Sequence, residues 1–164
     1  MKEEVFWNSD IKDIKKGYID SGEHFECLLC GMNTEKGVIY KRENTLLDAE
    51  KEMKSHISEA HVSVFDYLIS LNKKLTGISE QQKKLLKLFY QGKSDKEVQE
   101  KTETGSMSTI RNHRFMLKEK ERQAKVFLSV MELLRERDKN AAEFIELHKT
   151  ARFIDDRYNI TLSE

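Results

Sequence analysis

Cysteine occurs twice in the 164 residues, as Cys27 and Cys30, with two residues between them and Gly31 directly after. His56 and His61 lie further on, with four residues between them, so the chain reads C-x2-C-x25-H-x4-H. Both pair spacings suit structural zinc, although the gap between the pairs is longer than in ordinary small fingers. The surrounding residues predict how such pairs can meet. His24–Leu28 and Gly37–Tyr40 read as strands around a turn that holds Gly31 and Asn33, which makes the cysteines a knuckle. Leu46 to about Ala60 reads as a helix with Leu47, Met53, Ile57 and Ala60 inward, so both histidines fall at its end. Five residues are about 500° of helix, so both rings reach one point only if the last turn loosens, near Ser58 and before Val62.

Two other readings stand beside structural zinc. A Cys-x2-Cys can be a redox dithiol, and the histidines can be ordinary surface or helix-end residues. The double pairing favours metal, as does a stretch with too little apolar material to fold without a staple. Four protein ligands would leave no open position for water. With no H-E-x-x-H pattern present, a catalytic zinc is not expected. No nucleophile–base–acid set remains elsewhere, so no enzyme is expected.

The flanking segments are simpler. Ile11 and Ile14, capped by Asn8 or Ser9 and closed by Gly17, predict a short helix, with Phe6 and Trp7 ahead of it as a staple. Residues 62–78 predict one amphipathic connecting helix that carries Val62, Phe65, Leu68, Ile69 and Leu75 and ends at Gly77. Proline is absent and glycine occurs only seven times, which favours long helices over a loop-rich β fold.

From Ser79 to Lys120 the sequence predicts three helices. Ser79 with Gln82, and Ser94 with Glu97, are spaced as capping boxes. Leu85, Leu86, Leu88 and Phe89 form an apolar stripe that stops at Gly92, and a second helix from Asp95 to about Lys101 carries little beyond Val98. A third begins near Ser106. This order is a helix-turn-helix plan, in which the last helix enters the major groove. Met107, Ile110 and Leu117 form its inner face, while Ser108, Arg111, Asn112 and Phe115 look outward. Arg111 suits guanine and Asn112 adenine. Ser106, Ser108 and Thr109 suit phosphate at a helix N-terminus. His113 and Arg114 straddle the inner face, and Lys93 and Lys96 can reach the DNA backbone. An ordinary charged or partly buried face is the competing reading for each. The segment carries ten Lys or Arg against six acids, a local balance of 10 − 6 = +4 inside a chain of net charge zero.

GKSDKEVQEKTETGSMSTIRNH resembles the DNA-binding domain of LuxR-type bacterial regulators. The match places Ser94, Lys96, Glu97, Val98 and Glu100 on that family's cap and second helix, and Ser108–His113 on its recognition helix. One extra residue between Thr102 and Met107, and polar Thr102 and Thr104, depart from the family pattern. The resemblance implies duplex DNA as partner. It completes a mostly α fold class: a small ββα-like zinc module, a LuxR-type helix-turn-helix and a long C-terminal helix.

After Lys118 the helical signal runs to about Asn140. Leu117, Ala124, Met131 and Asp138 repeat every seven residues, offset by three from Lys120, Phe127, Leu134 and Ala141. This seam, with Lys120 and Asp138 as its polar members, predicts a homodimer through residues 117–141; a helix packed wholly within the monomer is the alternative. A further amphipathic segment is expected over 141–164. The expected parts are therefore 1–61 (N-terminal helix and zinc module), 62–78 (connecting helix), 79–120 (helix-turn-helix) and 121–164 (long helix and C-terminal segment). Apolar runs are too short to span a bilayer, and no signal peptide is evident, so a cytoplasmic protein is expected.

Blocks such as FECLLC, HISEAHVSVFDYL, GSMSTIRNHRF and KEKERQAKVFLSVMELL are similar, over about residues 5–160, to a group of Firmicutes proteins described as transcriptional regulators. Many of those carry a further C-terminal domain, which implies that this chain is the N-terminal part of such a protein or a short member. The expected function is sequence-specific regulation of transcription. The alternative is an adaptor that docks RNA polymerase or another regulator.

Overall fold

Gly17 makes the first reversal of the chain possible. In the computed structural model, which describes residues 3–102 and 106–159 (side chains over 4–102 and 106–142), it sits at φ 84°. It ends the helix α2 (Ile11–Lys16), and its N–H bonds the carbonyls of Asp13 and Ile14. Its own carbonyl accepts from Leu28 N–H at 2.9 Å, which ties the reversal to the cysteine knuckle. A short α1 (Glu3–Asn8) comes before it. The cap of α2 is Asp10, without a side-chain bond, and not Asn8 or Ser9; the Ser9 hydroxyl instead donates to the Val5 carbonyl. Phe6 packs as expected of a staple and is buried in the core, with Trp7 edge-on to it at 5.0 Å.

Three strands follow as an antiparallel meander, β1 (Tyr18–Asp20), β2 (His24–Cys27) and β3 (Asn33–Glu35), in the order β1-β2-β3. Phe25 faces both Asp20 and Thr34 across the sheet. The strand expected at Gly37–Tyr40 is displaced. Asn33 already pairs with Glu26, and Tyr40 opens a separate hairpin of β4 (Tyr40–Arg42) and β5 (Thr45–Leu47). Leu46 and Leu47 therefore belong to a strand. The helix α3 (Ala49–His61) starts later than expected because Asp48 caps it, accepting from Lys51 N–H at 2.8 Å.

The core of this region lies between the meander and α3. Met53 is fully buried and Ile57 nearly so, against Tyr18, Cys27, Leu28 and Leu29. Each such side chain contributes about 1.5–3 kcal/mol on burial. Ala60, expected inward, is exposed. The buried Thr34 hydroxyl donates to the Ala49 carbonyl at 2.9 Å, so β3 holds the start of α3. Arg42 forks onto both oxygens of Glu52 at 2.7 Å and also meets Glu59, fixing the hairpin on α3. That guanidinium holds the Glu52 carboxyl below its ordinary range.

The expected connecting helix is two pieces, α4 (Val64–Ser70) and α5 (Lys73–Thr76). Asn72 divides them, because its side chain accepts from Lys74 N–H and so starts a new helix. Gly77 ends α5 at φ 63°. In α6 (Glu80–Tyr90) the Ser79–Gln82 capping box is complete. The helix stops in a Schellman turn, with Lys93 N–H on Leu88 O and Gly92 N–H on Phe89 O. Helix α7 (Asp95–Thr102) opens on the Ser94–Glu97 box and buries Val98. The capped N–H and the hydroxyl of Ser94, with the Lys93 ammonium, pull the Glu97 carboxyl down to about 2.

The chain divides into two compact units, Met1–Thr102 and Glu103–Glu164. The described part of the second is α8 (Met107–Asn159), one unbroken helix. The further segment expected over 141–164 is thus a continuation of α8 as far as Asn159, and its side chains beyond residue 142 lie outside the described residues.

Gly17 tests this packing. A Cβ there would stand 2.7 Å from Val64 Cγ2 and 3.1 Å from Ile57 Cδ1, whereas one at Gly22, also at positive φ, would meet nothing. Gly22→Ala is expected to cost about 1 kcal/mol for the φ alone, and Gly17→Ala about 2–4 kcal/mol through added crowding. Urea denaturation of both variants measures this; equal losses would show that Val64 and Ile57 do not close on Gly17.

Candidate metal centre

Two chain reversals bring the cysteines and histidines together. Strand β2 ends at Cys27, and the chain turns through Leu28–Cys30, closed by Gly31 N–H on Cys27 O at 2.8 Å and Cys27 N–H on Met32 O at 2.8 Å. Gly31, at φ 82°, allows so tight a knuckle. Buried Leu28 and Leu29 anchor it in the core. At the other side, α3 presents His56 one turn before its end and His61 as its last residue.

The donor atoms of Cys27, Cys30, His56 and His61 lie within 4.8 Å of one another. Cys27 Sγ is 3.6 Å from His61 Nε2, and Cys30 Sγ is 3.1 Å from His56 Nε2. A tetrahedral dication with bonds of about 2.3 Å to sulfur and about 2.0 Å to nitrogen places S and N roughly 3.5 Å apart. The two observed separations bracket that value, so the four residues fit such an ion. Two thiolates would also neutralise a dication, which suits a half-buried position.

The local electrostatics favour the ligating forms unequally. Burial first, then the neighbouring His56, lowers the pKa of His61 and keeps its ring neutral. Burial pushes the Cys27 thiol up, while the backbone N–H groups of Leu29 and Cys30 pull the other way. Burial, then both cysteines, raises the Tyr67 hydroxyl. That ring stands edge-on to His61 at 5.9 Å, and His61 is edge-on to His56 at 5.1 Å.

The expected loosening is not within α3, which stays helical through His61. It falls one residue later. Val62 has φ 64° and ψ −56°, and Ser63 N–H bonds the His61 carbonyl at 2.6 Å, a γ-turn of the rare positive-φ kind. Val62 is 75% exposed, so packing of its side chain does not explain a conformation that β-branched residues avoid. The turn does reverse the chain at once, letting Ser63 cap α4 through Asp66 N–H and bringing Val64, Tyr67 and Leu68 onto the core. Neither the γ-turn nor the role of Tyr67 has a sequence signature.

The residues expected at DNA are placed as follows. Lys93, in the first unit, is paired with Glu97 at 3.0 Å, and Lys96 is exposed. In the second unit Ser106, Ser108, Arg111, Asn112 and Arg114 are exposed, Thr109 and His113 are half-buried, and Ile110 is fully buried. The Ser106 hydroxyl meets those of Ser108 and Thr109. Residues 103–105, and with them the turn that carries the extra residue and Thr104, lie outside the described residues. Among the described residues, no helix is long and apolar enough to cross a membrane.

No family model, curated protein or solved structure matches this chain.

A metal bound here must displace the Cys27 proton, since a buried thiol is protonated at neutral pH. Adding zinc to the metal-free protein in weak buffer at pH 7 is expected to release at least about one proton per metal, and affinity should fall as pH falls. Calorimetry in buffers of different ionisation enthalpy measures the release; binding without proton release would exclude thiolate ligation.

Proposed function

We propose that this chain is a DNA-binding transcriptional regulator whose first unit is braced by a structural zinc ion on Cys27, Cys30, His56 and His61. Zinc is the ion of choice because two sulfurs and two imidazole nitrogens form a closed donor set that suits a tetrahedral, redox-inactive dication. The observation that carries the DNA reading is the division of faces at the start of α8, with Ile110 buried while Ser108, Arg111 and Asn112 are exposed. It follows two short helices whose caps are both complete, the order a helix-turn-helix requires. In this reading Arg111 and Asn112 contact base edges, the hydroxyls of Ser106, Ser108 and Thr109 contact phosphates, and Lys93, Lys96, His113 and Arg114 border the duplex. The LuxR-like pattern of the same residues supports it.

An adaptor that docks RNA polymerase or another regulator is the second reading. What favours it is the row of exposed apolar side chains further along α8, among them Val126 and Leu133.

Duplex selected from a random pool should bind with an affinity that falls with salt, and Arg111→Ala should lose about 1–3 kcal/mol on the selected site and much less on random duplex. Fluorescence anisotropy across a salt series measures both. Affinity indifferent to salt and to Arg111 would replace the DNA reading with the adaptor.

A further inference from the structure

Between Ala124 and Leu134, α8 carries an apolar surface, half-buried at Leu128 and Met131 and exposed elsewhere, that spans roughly 220° of the helix at about 100° per residue. Phe127, at its centre, is 64% exposed, and Val130 and Leu134 are about half exposed. A helix with so wide an apolar surface is normally buried. We infer that the occupant is α8 of a second copy of this chain, lying antiparallel about a centre at position 129.

The register follows from the two charged residues in the seam. A parallel, in-register pair would set Lys120 against Lys120 and Asp138 against Asp138, each a like-charge contact. In an antiparallel pair centred at 129, Lys120 of one copy meets Asp138 of the other. The same register sets Phe127 on Met131, and Ala124 on Leu134, large against small. At the flanks Leu128 and Val130 each meet their own counterparts, and Glu121 faces Arg135. Shifting one strand by a heptad breaks this pattern. One shift puts Phe127 on Asp138, and the other puts Lys120 on Met131.

This arrangement has a consequence that rests on the DNA reading above. Met107 lies 129 − 107 = 22 residues from the centre, so the two Met107 residues stand roughly 66 Å apart in a straight pair at about 1.5 Å per residue. Two operator half-sites would then lie about two duplex turns apart rather than one.

Sedimentation equilibrium of the full zinc-loaded chain, without DNA, tests the pairing apart from the DNA reading. The chain is expected to be dimeric at tens of micromolar. Lys120→Asp and Asp138→Lys should each weaken the dimer at least ~10-fold, and combining them should restore it to within ~3-fold. Circular dichroism checks that each variant remains helical. Phe127→Ala, which leaves the charges alone, should also weaken the dimer and serves if a charge variant loses helix. A monomeric chain, or a double variant no tighter than the singles, would overturn the antiparallel pair.

Discussion

The first unit depends on one closure, the meeting of a cysteine knuckle with the end of a single helix. The meander alone is three strands of three or four residues, and two-stranded pieces such as the β4–β5 hairpin are marginal in water. Most of the core is the layer of Met53 and Ile57 against Leu28, Leu29 and Tyr18, and the cysteines sit at its border, Cys27 within the buried cluster itself. An ion on the four side chains would fix the ends of β2 and α3 at one point. The same point holds Val62, a β-branched residue at positive φ in its γ-turn, directly after His61. Strain of that kind persists only where the surroundings over-determine it. Here the His61 side on α3 and the docked α4 both do so.

The closure also reaches the capped helices through direct contacts. Tyr67 of α4 leans on His61, the Phe65 ring of the same helix stacks on Tyr90 of α6 at 3.9 Å, and Lys83 of α6 donates to the Leu71 carbonyl at 3.0 Å. A brace on α3 therefore steadies α4, and α4 meets α6. In the function proposed above, this chain of packing is how an ion at the four side chains would steady the capped helices without touching DNA.

Local rules made much of this legible. Both capping boxes, the stops at Gly17, Gly77 and Gly92, and the four metal candidates follow from residue types at fixed spacings, because caps and ligands act over a few residues. Where the sequence misled, the reason was tertiary or a competing local bond. Gly37–Ile39 has strand-like residues, but Asn33–Glu35 takes the pairing with β2 because Cys27 N–H and Met32 O close the turn early. Leu46 looked helical until Asp48 proved to be the cap. The amphipathic period of 62–78 concealed the break at Asn72, whose side chain outweighs the period. The γ-turn at Val62 was illegible, since nothing about valine announces a conformation that valine avoids.

The long helix shows the converse. Its seven-residue period is plain, yet a period alone does not say which surface covers it; in the antiparallel pair inferred above, the opposed charges of Lys120 and Asp138 set the register. The central claim nonetheless remains the closure at Cys27, Cys30, His56 and His61. X-ray absorption at the zinc edge of the zinc-loaded chain tests it most directly. The account predicts a four-coordinate shell of two sulfurs at about 2.3 Å and two nitrogens at about 2.0 Å. A shell of oxygen and nitrogen alone, without sulfur, would contradict it.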